Sequence, residues 1–79
     1  FELSVNGYKS KGVSYANLSW NGANTSTVDI YRDGKKVNTV ANSGNYTDSI
    51  NVKGGGSYTY QVCDLGSTTS CSVNATVTF

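Results

Sequence analysis

The chain has 79 residues, enough for one domain and too few for a second buried core. Eleven Ser, nine Thr, nine Asn and nine Gly make up nearly half of it, charged residues are 14%, and the formal net charge is +1. Neither sign accumulates enough to attract nucleic acid strongly, no apolar run approaches the roughly 20 residues of a membrane-spanning helix, and with no His an imidazole base or ligand is excluded.

The apolar set indicates strands. Nine Val stand against three Leu and two Ile, Tyr contributes six residues, and Met and Pro are absent. Branched and aromatic side chains suit a pleated, half-buried surface, and good helix formers are scarce. The chain opens without a basic segment leading into an apolar stretch, so it reads as a mature or excised piece.

In chain order, Phe1 to Val5 alternates, with Phe1, Leu3 and Val5 on one face, and Asn6-Gly7 offers a turn or bulge. Lys9 to Gly12 is a polar connection. Val13 to Trp20 is predicted as a second strand with Ala16, Leu18 and Trp20 inward and Tyr15, Asn17 and Ser19 outward; Asn21 to Asn24 is a loop. Thr27 to Arg32 is a third strand, Val28 and Ile30 inward, Asp29 and Tyr31 outward. Asp33-Gly34 then gives a two-residue hairpin signal of type I′. Val37 and Val40 carry the return strand as far as Asn42-Ser43-Gly44, and a fifth strand covers Tyr46 to Ile50. Gly54-Gly55-Gly56 is a break. Ser57 to Cys63 alternates with Tyr58, Tyr60 and Val62 inward, and Val73, Ala75, Val77 and Phe79 alternate to the end.

Cys63 and Cys71 have seven residues between them, with Asp64-Leu65-Gly66-Ser67 as turn chemistry. A metal site needs more ligands, and a redox motif normally spaces its thiols by two residues. A structural disulfide closing a hairpin loop remains, against the alternative of two buried free thiols. Such a bond implies an oxidising compartment, hence a secreted or periplasmic chain. Seven strands punctuated every 8–12 residues predict a single all-β domain over 1–79, a seven-stranded antiparallel sandwich or a small barrel.

These residues resemble a fibronectin type III domain of the immunoglobulin-like class. Leu18-Ser19-Trp20 is similar to the second-strand motif whose Trp anchors the core, and Val28 to Gly34 to the third strand and its turn. Val52, six residues before Tyr58, resembles the spacing that ends in a tyrosine corner, where a buried hydroxyl pins the loop crossing between sheets. The chain departs from that family in its shortness, its lack of Pro and its triple Gly, and it has no Arg-Gly-Asp. A narrower resemblance rests on residues 28–34, Asn45-Tyr46-Thr47-Asp48, residues 55–63 and Cys71-Ser72. It is to small C-terminal modules of secreted bacterial hydrolases, among them subtilisin-like serine proteases of marine bacteria. That resemblance implies a non-catalytic accessory domain acting as spacer, stabiliser, or aid to substrate adhesion or export, with a catalytic domain in the same chain. The other reading is a binding module for an insoluble polymer such as chitin, cellulose or collagen.

Candidate sites are few. Trp20, Tyr58 and Tyr60 alternate with polar neighbours and are assigned to the core. Tyr31 faces outward on the sheet that also carries Asp29, Thr59, Gln61 and Asn74; a ring among amides and hydroxyls can stack on a pyranose, which makes Tyr31, Gln61 and Asn74 the candidate binding surface. Polysaccharide platforms usually need two or three coplanar rings, however, and a lone outward Tyr on a strand is more often a β-former covering its neighbours. Tyr15 faces outward on the opposite sheet. Asp29, Asp33, Asp48 and Asp64 form no Asp-x-Asp-x-Asp run, so no metal or other cofactor is expected. Asn17, Asn24, Asn45 and Asn74 each begin an Asn-x-Ser/Thr triplet, which this composition produces by chance. Lys35 and Lys36 solvate the hairpin and guard its edge. A monomer without catalytic residues is expected.

Overall fold

In the computed structural model, which describes residues 1–50 and 55–79, seven strands form two antiparallel sheets. The strands are β1 (Glu2–Ser10), β2 (Val13–Asn21), β3 (Thr27–Arg32), β4 (Lys35–Ala41), β5 (Asn45–Ile50), β6 (Ser57–Asp64) and β7 (Ala75–Thr78). One sheet has the order β1-β2-β5 and the other β4-β3-β6-β7, the arrangement of a fibronectin type III-like sandwich. Val52 of the expected corner and Gly54 of the glycine break lie outside the described residues.

The core follows strand parity. Leu3, Ala16, Leu18, Trp20 and Ile50 of one sheet meet Val28, Ile30, Tyr60, Val62 and Val77 of the other, all buried. Phe1, Val5, Val40, Tyr46, Tyr58, Ala75 and Phe79 close the margins, with Tyr58 and Phe79 edge to face at 6.1 Å between centroids. Trp20 also has a polar anchor. Its Nε1–H donates to Asn42 Oδ1 at 2.8 Å, and the Asn42 amide donates to the carbonyls of Ala23 and Thr25, so one side chain fastens the β2–β3 loop over the indole.

Three expectations are corrected. Asn6-Gly7 is no turn: β1 runs on through it to Ser10, and the reversal is Lys11-Gly12, both at positive φ (51° and 77°). Gly7 serves packing instead, because a Cβ there would lie 2.5 Å from Val77 Cγ2 and 2.9 Å from the Phe79 ring. Val37 is not a core residue of β4. The register passes from Ile30↔Asn38 to Tyr31↔Lys36, so Val37 is the extra residue of a bulge and is exposed. Val73 precedes β7 rather than belonging to it; its N–H donates to Phe1 O and its side chain is 62% exposed. The Asp33-Gly34 reversal is as expected, with φ of 52° and 81°.

Candidate functional site

Cross-strand register decides which surface side chains meet. On the outer face of the four-stranded sheet Tyr31 is opposite Lys36 on one side and Gln61 on the other. The Gln61 amide donates to Ser72 O at 3.0 Å, which fixes it beside the ring. Thr59 and Thr76 pair their hydroxyls at 3.0 Å, and Ser57 and Thr78 theirs at 2.9 Å. Asn74 is exposed but lies just beyond the β6–β7 ladder, which begins at Tyr60↔Ala75. Tyr31 and Gln61 are therefore neighbours, and Asn74 sits at the margin of their face.

Asp29 points to this face as expected, yet it is not exposed. It is buried at 1% exposure, its Oδ1 accepting from Thr39 Oγ1 at 2.7 Å and its Oδ2 from Gly66 N–H at 3.1 Å. The Thr39 bond, working against burial and helped by Gly66 and Lys36, holds its carboxyl below the usual carboxylate range. The β6–β7 loop reaching over Asp29 is closed by the Cys63–Cys71 disulfide. Within it Asp64 accepts from Ser70 Oγ and from Asn24 N–H, and these bonds, the first foremost, lower its carboxyl too. The backbone nitrogen of Phe1 donates to Cys71 O at 3.3 Å. One stapled loop thus gathers Phe1, the β2–β3 loop and the end of β6.

The other outer face, on β1-β2-β5, carries a feature absent from the sequence reading. Tyr8 pairs with Tyr15 across the hairpin, and their rings stack at 5.2 Å between centroids and 18° between planes. The next row is Asn6, Asn17 and Thr47, with the Thr47 hydroxyl donating to Asn17 Oδ1. A two-residue register count from a Lys11-Gly12 turn would have found the pair.

A third cluster is internal. Arg32 Nη1 contacts Asp48 Oδ2 at 2.6 Å, and the Tyr60 hydroxyl donates to the same oxygen at 2.7 Å. Asp48 comes from the three-stranded sheet and its partners from the four-stranded one, so the cluster ties the layers together. Burial first, and then the bond to Asp48, push the Tyr60 hydroxyl far above its ordinary range. The Tyr60 hydroxyl is engaged with Asp48 inside the sandwich, while the Arg32 side chain keeps 28% exposure. A shallow depression of about 470 Å³, lined by Glu2, Leu3, Ser4, Ser19, Trp20, Asn21 and Val73, offers one carboxylate and no nucleophile paired with a base. Among the described residues no three His, Cys, Asp or Glu side chains converge as metal ligands.

The two-sheet fold defines a fibronectin type III-like module. The family model described as Chitinase A, N-terminal domain, matches residues 4–79, and the chain belongs to that family. No curated protein and no solved structure matches the chain significantly. The hydrolase association expected from the sequence is retained in this family; a subtilisin-like parent gains no support from it.

Proposed function

We propose that the chain is the accessory module of a secreted chitinase-type hydrolase, working as a monomer outside the cell beside a catalytic domain in the same polypeptide. The observation that carries this reading is the family match over 4–79. The Cys63–Cys71 bond suits an oxidising compartment.

Within that role, the face around Tyr31, Gln61 and Asn74 adheres to the insoluble polysaccharide and keeps the catalytic domain near its substrate. Uncharged hydroxyls and amides match a neutral polymer rich in hydroxyl and amide groups, and the carboxylate on this face is already satisfied internally. Tyr31 supplies the ring. Tyr8 and Tyr15 are the weaker platform, since each covers one face of the other. Retention of the chain on insoluble chitin, with cellulose and collagen alongside, is the test. Tyr31→Ala is expected to weaken retention on chitin about threefold to tenfold, the value of one aromatic contact. Retention that Tyr31→Ala leaves unchanged would remove this face from the account, and no retention on any polymer would leave a spacer or stabiliser.

A further inference from the structure

We propose that Tyr8 and Tyr15 are a site of oxidative cross-linking, at which a haem peroxidase with hydrogen peroxide joins the two rings into a dityrosine across the β1–β2 hairpin. Four observations carry this. The residues are directly opposed in an antiparallel ladder that continues on both sides, from Asn6↔Asn17 to Lys9↔Ser14, so their separation is set by backbone pairing. Their rings are in contact and nearly parallel, at 5.2 Å and 18°. Tyr8 is 42% exposed, within reach of an oxidant that acts at the surface.

The remaining tyrosines, finally, are placed otherwise. The Tyr46 hydroxyl accepts from Asn38 Nδ2, Tyr58 packs on Phe79, Tyr60 is fully buried on Asp48, and Tyr31 lies between Lys36 and Gln61.

The chemistry balances. Each phenol gives up one electron and its hydroxyl proton, leaving a radical whose unpaired density is shared between oxygen and the ortho carbons. A carbon–carbon bond forms between two ortho positions, and the two ring hydrogens displaced there migrate to the oxygens, restoring both phenols. Hydrogen peroxide takes the two electrons and two protons and becomes two molecules of water. Because the second ring is already in contact, it is present at high effective concentration, and coupling within the chain outruns coupling between chains. The bond would close the edge strand β1 onto β2 and hold the hairpin shut.

The test is treatment of the chain with a haem peroxidase and limiting hydrogen peroxide, read by intact mass, dityrosine fluorescence and mapping of linked peptides. The expected product is a monomer lighter by two hydrogen atoms, with the link between Tyr8 and Tyr15, formed at a rate per chain that dilution does not change. Tyr8→Phe and Tyr15→Phe keep the ring stack but should each lower this product at least about tenfold, while Tyr31→Phe leaves it unaltered. A product consisting only of linked dimers, a link mapped to other tyrosines, an undiminished yield in Tyr8→Phe, or no dityrosine at all would overturn the proposal.

Discussion

Asp48→Ala should be the most damaging change of a single polar side chain in this domain. The substitution strips two donors of their acceptor. The Tyr60 hydroxyl, on a residue with no exposure, would be left buried and unpaired, at a cost of about 1–3 kcal/mol. The Arg32 side chain retains 28% exposure and can turn part of its guanidinium to water, so its half of the ion pair is worth only about 1 kcal/mol rather than the larger cost of a fully buried charge. The expected loss is therefore about 2–4 kcal/mol. In a domain of this size that lowers Tm by about 8–30 °C.

Tyr60→Phe, which removes a donor and leaves Asp48 with Arg32, should cost only about 1–2 kcal/mol. Urea unfolding of wild type, both single variants and the double variant gives the coupling between Asp48 and Tyr60 directly, expected at about 1 kcal/mol or more. A loss for Asp48→Ala below about 0.5 kcal/mol, or additive single variants, would refute the argument that this bond ties the two sheets.

Three other outcomes are expected. Replacing both Cys63 and Cys71 by Ser should cost about 2–3 kcal/mol through the entropy of an eight-residue separation, read as a drop in urea midpoint with the strand spectrum retained. Acid should destabilise the domain through Asp29 and Asp64. Both are held below their ordinary range, so their contribution is fully present above about pH 4 and is lost as pH falls through the lowered folded-state values; a urea midpoint that stayed flat from pH 5 to pH 2 would contradict this. Gly7→Ala should destabilise by about 1–3 kcal/mol, because the added methyl meets Val77 and Phe79, and an unaltered Tm would show that the β1–β7 margin can yield.

Strand parity carried most of the fold in the sequence: Ala16, Leu18 and Trp20, Val28 and Ile30, and Tyr60 and Val62 are inward as their alternation requires. The errors arose where a residue type has two physical uses. Gly7 after Asn6 has the form of a turn, but its lack of a Cβ is needed for contact with another strand, a demand that local sequence does not display. Val37 and Val73 are branched and apolar, yet a bulge and an unpaired approach to β7 leave them in solvent. Asp48 shares its parity with Tyr46 and Ile50, which already points inward; what remained hidden was that β3 would bring Arg32, and β6 Tyr60, to the same oxygen. Asp29 was placed on the right side of its strand, and only the tertiary cover from Thr39 and the stapled loop buries it. Of the candidate surface, Tyr31 and Gln61 are adjacent because register makes them so, whereas Asn74 falls past the end of its ladder.

The account rests most heavily on the claim that this domain serves a chitinase-type catalytic domain by holding polymer without transforming it. Hydrolysis by the parent enzyme, with and without residues 1–79, on insoluble chitin and on a short soluble chito-oligosaccharide, measures that claim. Loss of rate on the insoluble polymer alone, with the soluble substrate turned over as before, is the predicted result. Equal loss on both substrates, or turnover of either by the 79-residue chain alone, would contradict it.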